Sequence, residues 1–471
     1  MSGGPRALWV RLTGTLWFVP SGIAVAMAVL AVAMIELSTR VDDDVLRRFP
    51  RIFGASAESS RAMLSAIAGA IITVAGLTFS LTMVAVTQAS SQYTPRILRN
   101  FMRDRVSQVV LGAYVGIFAY CLLVVRTIRS GDEGRFVPSI AVVLGIALAM
   151  AGVGALIFFI HHLASALQAS TIVARITRDT VQVVDRLFPE DVGEEAPHDE
   201  ADAALAVTLD ARWTAVTAPA TGYVQAVDAD ALLRVADRHD LVVRLVAAVG
   251  EFVVEGVPIL WALPRAPSDA PGREQGGDWC RALREVFTVS SFRTVEQDAA
   301  FGVRQLVDIA LKALSPGVND TTTATTCIDH LGAILARLAP RRVESRLRAR
   351  DGTLRVIAPG PTFDSLLALA VDEIRASAAS NAAAAARLLT MLELVASCAA
   401  SPQRRQLVAA HVERVLGDAE AGVSSPYDRG RLRELAARAL ATAREARALP
   451  TGARAEWVRN GPPAPPRSRA G

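Results

Sequence analysis

The chain has 471 residues, of which 52% are hydrophobic and 20% charged. Its mean hydropathy of +0.33 is too apolar for an ordinary water-soluble protein of this length and points to membrane spans. A formal net charge of +4 excludes a general nucleic-acid binder, while the sequence pI near 9.1 suits an anionic lipid surface.

Four apolar runs occur in the first third. They are Leu16 to Leu37, Ala62 to Val86, Val109 to Val125 and Phe136 to Ile160. The first is long enough to cross a bilayer core of ~30 Å at about 1.5 Å per residue, and the third is short and bounded by Arg105 and Arg126. Trp9, Trp17 and Phe18 stand at the start of the first run like an interfacial belt. Four spans leave both termini on one side. The arginines of the first loop (Arg40, Arg47, Arg48, Arg51, Arg61) and the middle loop (Arg96, Arg99, Arg103, Arg105) nearly balance. The cytoplasm is therefore chosen for both termini because the large C-terminal part carries free cysteines and no export signal. The expected location is a bacterial inner membrane, with the lipid bilayer as first partner.

The second run is rich in hydroxyl groups. At 100° per residue Gly69, Thr73, Gly76, Ser80, Thr87 and Ser91 fall within roughly a 60° stripe, interrupted by Val84. Two readings suit that stripe. Small residues let membrane helices approach closely, and their hydroxyls bond across helices or to their own backbone. Alternatively, the stripe lines a water-filled path within one chain or at the axis of a homo-oligomer, with Gln88, Gln92 and Tyr93 at its mouth. Arg96 and Arg99 beyond that mouth would favour anions, or anchor the chain to phospholipid. No ionisable residue sits deep in a span, which argues against a proton relay or voltage sensor. His161 and His162 at the end of the fourth run read as an interfacial surface feature.

Residues His161 to Phe188 have helical periodicity and read as a stalk. The acidic, Pro-punctuated stretch Pro189 to Ala203 reads as a linker. Two β-branched stretches follow, around WTAVTAPATGYVQAVD and LVVRLVAAVGEFVVEGVPILWAL, with a short helix between them. The second has the rhythm of a biotinyl- or lipoyl-type hairpin, so a small β-barrel or sandwich is expected. That hairpin contains no lysine to acylate, which excludes a group-carrier role. From Arg281 the pattern is mostly helical, interrupted by a short strand at Gly352 to Ala358, with helices over Val371 to Ala400, Gln403 to Leu416 and Arg429 to Ala448. The Pro-rich end is expected to be disordered. The expected architecture is thus mainly α. A four-span membrane domain occupies 1–163, a helical stalk and acidic linker 164–203, a β-rich domain 204–280, a helical cytoplasmic domain 281–450 and a tail 451–471.

Of the 50 lysines and arginines only Lys312 is lysine, a bias that reflects GC-rich coding more than chemistry. It lies in DIALKALSPGVND, Asp308 to Asp320. On a helix Arg304, Gln305, Asp308, Lys312 and Ser315 share one side, and Arg304, Asp308 and Lys312 are spaced for an ion ladder. Ser315-Pro316-Gly317 stops that helix, with Gly317 suited to a left-handed position. Asn319 and Asp320 are N-cap types for the next helix. The corner Arg304, Asp308, Lys312, Asn319, Asp320 could hold an anion or other small ligand at a helix start. It could equally be self-satisfied, with Asp320 occupying the free N–H groups.

Three stretches, TFSLTMVAVTQASSQYTPRILRNFMRDR, APATGYVQAVD and DAAFGVRQLVDIALKALSPGVNDTTTA, together resemble a bacterial family of membrane proteins known as domain of unknown function 2254. The resemblance runs from about Trp9 to Ala448. It implies a four-span integral membrane protein of the cell envelope and carries over no activity. Where the family reads Asn-Asp-Pro, this chain reads Asn319-Asp320-Thr321.

Two functions follow as expectations. One is an oligomeric ion channel or transport protein with a cytoplasmic regulatory domain. The other is a membrane-anchored binding, signalling or scaffold module that moves nothing. No Walker loop, GxSxG, HExxH or CxxC appears, so neither an enzyme, a cofactor nor a metal is expected, and no nucleic-acid partner.

Overall fold

The computed structural model describes residues 17–40, 56–92, 104–129, 136–166, 168–187, 213–265, 277–295, 297–341, 347–350, 353–358, 360–399 and 401–445. The chain forms two compact units, divided between Thr171 and Ile172.

Among the described residues the first unit holds four helices long and apolar enough to cross a membrane: α1 (Phe18–Arg40), α2 (Ala57–Gln92), α3 (Arg105–Thr127) and α4 (Ser139–Ala166). Helices α2 and α3 cover their expected runs and extend beyond them, while α1 and α4 begin two and three residues inside theirs and run on past the far ends, because helix geometry persists where apolar composition stops. At 36 residues, α2 is about 54 Å long and outreaches a bilayer core. Helix α3 is the most buried of the four. Its Tyr114 and Tyr120 are fully buried. Their hydroxyls donate to the carbonyls of Gly152 (3.1 Å) and Ala141 (2.8 Å) on α4, which removes the cost of burying a phenol. Leu64, Ala68, Ile71 and Ala75 of α2 join the same core. Gly112 and Gly116 of α3 lie against Pro20, Ile23 and Met27 of α1, the close backbone approach that small residues permit between spans.

The second unit begins within α5 (Ala169–Leu187). A mixed β region follows, with β1 (Thr214–Thr217), β2 (Gly222–Val227), α6 (Ala229–Arg238), β3 (Leu241–Leu245), β4 (Phe252–Val253), β5 (Pro258–Pro264), α7 (Gly277–Glu285) and β6 (Phe287–Ser290). The expected barrel or sandwich is not borne out: the described residues form two small open sheets, ordered β1-β5-β3-β8-β7 and β4-β2-β6. The first is completed by β7 (Leu347–Arg350) and β8 (Thr353–Ile357), which come from the helical region. The first sheet stays open: β3, paired antiparallel with β5, takes β8 in parallel on its other side, which leaves β1 and β7 as edges. Helices α6 and α7 help cover a shared core of Val224, Leu232, Val243, Leu260, Leu283 and Val356.

The remaining helices are α8 (Ala299–Leu314), α9 (Thr321–Leu338), α10 (Phe363–Ser377), α11 (Ala382–Cys398), α12 (Pro402–Gly422) and α13 (Pro426–Arg444). Their starts are written in the sequence. Asp298, Asp320, Asn381, Ser401 and Ser425 cap N-termini, proline occupies the first turn of α12 and α13, and Thr362 with Ser365 forms a capping box. The expected continuous helix from Val371 to Ala400 is broken at 378–381, where Asn381 starts α11. Helix α5 is fastened to this body. Thr180 on α5 fills the space over Gly302 on α8. Arg341 donates to Val184 O (3.0 Å) and to Asp185 (2.5 Å), and Arg337 reaches the same carboxylate (2.8 Å).

Candidate functional site

On α2 the sequence stripe becomes a surface. Thr73, Gly76, Ser80 and Thr87 are exposed, and Gln88 is exposed beside them. Ser91 lies on the same helix; Tyr93, Arg96 and Arg99 lie outside the described residues. Ala68, Ile71, Ala75 and Thr78 form the opposite, buried side, so helix periodicity alone turns the hydroxyl face away from its own bundle. A Cβ added at Gly69 or Gly76 would meet nothing within 4 Å. Thr73 donates to Gly69 O (2.8 Å) and Thr87 to Met83 O (2.9 Å), the back-bonding by which hydroxyls sit on a membrane helix without an exposed donor. The same side of α2 also exposes Leu77 and Val84, and the other spans expose Val25, Val29 and Val32 on α1 and Met150, Val153 and Ile157 on α4, together with small residues such as Ala26 and Gly154 but no hydroxyl along their middle turns.

The corner between α8 and α9 is largely self-satisfied. Asp320 accepts from Thr323 N (3.0 Å) and Thr323 Oγ1 (2.5 Å), and these bonds hold its carboxyl below the ordinary range. A charged carboxylate therefore occupies the N-terminus of α9. The left-handed residue is Asn319 (φ 50), not Gly317; asparagine tolerates that region. Arg304 pairs with Asp308 at 2.8 Å and also reaches across to Glu373 of α10, so its charge is drawn sideways rather than along a simple ladder. Lys312 is exposed in the last turn. Gln305, placed by its spacing on the polar side, is buried.

Three polar pairings were not foreseen. His162 of α4 bonds Asp104, the N-cap of α3, at 3.0 Å. Burial works to raise the Asp104 carboxyl, but the bonds from Ser107 and His162 hold it below the ordinary range. Asp298, the cap of α8, is buried and bound by Arg293 at 2.7 Å; burial outweighs that cation and raises its carboxyl. Arg404 of α12 donates to Leu338 O (3.5 Å), Ala339 O (2.8 Å) and Arg341 O (2.5 Å), closing the C-terminal end of α9. The capping residues announce themselves locally, but their long-range partners carry no sequence signal.

Comparison with known proteins points to a membrane protein. The model of a family described as predicted membrane protein (DUF2254) matches residues 13–394. Uncharacterised proteins of Mycobacterium bovis and Mycobacterium tuberculosis are each 34% identical over 445 residues, covering 92% of this chain and 82% of theirs. No solved structure matches.

Proposed function

This chain belongs to the DUF2254 family of predicted membrane proteins, and we propose that it works there as a homo-oligomeric channel or transport protein, its path running between the α2 helices of neighbouring copies. The soluble unit has a regulatory role in this reading, and both termini are cytoplasmic in a bacterial cell membrane. One observation carries the proposal. The face of α2 from Thr73 to Gln88 that is exposed on the protomer carries hydroxyls and a glycine beside apolar Leu77 and Val84, whereas the exposed positions from Gly22 to Leu37 on α1 and from Ala147 to Ile160 on α4 carry no hydroxyl.

Lipid tails offer such a face no hydrogen bonds and little packing, so it is better matched to a partner helix or to water. The interior of the bundle is filled by Leu64, Tyr114, Ile117 and Tyr120, which favours a path between copies over one within a copy. The uncharged lining sets no sign of ion by itself. Cysteine cross-linking in native membranes tests the assembly. Thr73→Cys and Ser80→Cys should form intermolecular disulfides on mild oxidation, and Val25→Cys and Val153→Cys should not. If none cross-links, the α2 face meets lipid. The membrane-anchored binding module, with its ligand at the Arg304–Asp320 corner, then becomes the better reading.

A further inference from the structure

The β region of the second unit carries an apolar tip that is exposed among the described residues. Val254 and Val257 bracket a tight turn closed by Val257 N to Val254 O at 3.0 Å, with Gly256 at φ 81. Phe252 precedes it and Val246 faces Ile259 across the hairpin, donating to its carbonyl at 2.8 Å. All four side chains are about half exposed, Phe252 at 57%. The Phe252 ring meets Tyr223 edge-on, centroids 5.1 Å apart, so the aromatic is held outward rather than folded in. Glu251 and Glu255 are exposed beside the turn. From Val246 to Val257 there is no basic residue, and Arg244 lies one strand step before. Scattered exposed valines need no explanation, but a clustered apolar tip with an acidic rim is an interaction surface. The acidic rim disfavours an anionic lipid surface.

One segment of this chain has the complementary chemistry. In Arg454-Ala455-Glu456-Trp457-Val458-Arg459 an aromatic and a valine are flanked by two arginines, amid Ala, Gly and Pro. A tryptophan carries a large apolar area that water penalises, and Arg454 and Arg459 match Glu251 and Glu255 in sign. Trp457 lies twelve positions after Glu445, the last described residue, a tether of up to about 40 Å of extended chain. We propose that the segment Arg454–Arg459 docks on the Val246–Val257 tip, with Trp457 and Val458 against Phe252, Val254 and Val257 and the arginines at the acidic rim.

The tip's accessibility reports docking directly. In the full chain with Cys280→Ser, a cysteine introduced by Val254→Cys is timed for maleimide labelling, and the same is done for the chain ended after Glu445. A tethered segment acts at an effective concentration of about 1 mM. An intrinsic Kd near ~0.1 mM then leaves the tip about 90% covered, so truncation should speed labelling about tenfold. Trp457→Ala should reproduce that gain. Arg454→Glu with Arg459→Glu should give most of it, and adding Glu251→Arg with Glu255→Arg should restore protection. Hydrogen exchange of residues 246–257 in the unlabelled chain, with and without the segment, gives the same reading without a cysteine. Equal rates in full and truncated chains overturn the proposal. So does protection of the truncated chain that grows with protein concentration, which would make the occupant a second copy. Protection that arises only in vesicles would make it lipid, and overturns it equally.

Discussion

Changing Gly302 to alanine tests how the helix after the fourth span is held. A Cβ at 302 would lie 2.9 Å from both Cβ and Cγ2 of Thr180, and closer still to its Oγ1. That hydroxyl donates to Ile176 O at 2.7 Å, so turning it away forfeits a buried hydrogen bond. Overfilling a packed contact of this kind costs about 1–3 kcal/mol, while replacing glycine by alanine inside a helix returns about 1 kcal/mol. The expected net effect is destabilisation by up to about 2 kcal/mol. With Thr180→Gly in place all three clashing atoms are gone, and Gly302→Ala should stabilise by about 1 kcal/mol. The double-mutant cycle should therefore show a coupling of about 1–3 kcal/mol. Denaturant unfolding in mild detergent measures it, and hydrogen exchange over 172–187 should rise in the single Gly302→Ala variant. If Gly302→Ala stabilises equally in both backgrounds, α5 does not rest on α8 and the reasoning fails.

Two further outcomes follow from the same unit. Arg341→Met, which removes a buried guanidinium from Val184 O and Asp185, should cost about 2–3 kcal/mol. Arg337→Ala, removing a half-exposed partner of the same carboxylate, should cost below about 1 kcal/mol; comparable losses in the unfolding assay would contradict that ordering. Burial lowers the pKa of His411, against the opposing charge of Asp372. The unfolded chain therefore takes up a proton near its ordinary value of about 6.5 while the folded site resists. Stability should fall as pH drops from there through the lowered folded value, and His411→Gln should lessen that slope, leaving the part due to His330, which burial also lowers. Parallel pH profiles for the two proteins would assign the slope elsewhere.

What the sequence made legible was local. Four apolar runs marked the spans, and helical periodicity alone put Thr73, Gly76, Ser80 and Thr87 on one face. Cap residues such as Asp320 and Ser401-Pro402 marked helix starts because their bonds reach only three or four residues. The hairpin rhythm from Val242 to Leu260 was also read, but its closure into a barrel was not realised. A parallel partner more than a hundred residues away decides that topology, and nothing in either strand encodes the register. The same limit hid the Asp185–Arg341 and His162–Asp104 pairs, in which common residue types gain meaning only when folding brings them together. Gly317 misled because a glycine after a helix suggests a left-handed turn, while the chain places that conformation two residues later at Asn319.

The most direct test of the proposed path is flux. Purified protein reconstituted into liposomes should release trapped anions or cations, and Ser80→Leu, which puts a large apolar group on the exposed face of α2, should abolish that release while the protein stays folded and inserted. No flux from the unaltered protein across varied tension, salt and pH would contradict the channel reading, as would flux that Ser80→Leu leaves unchanged.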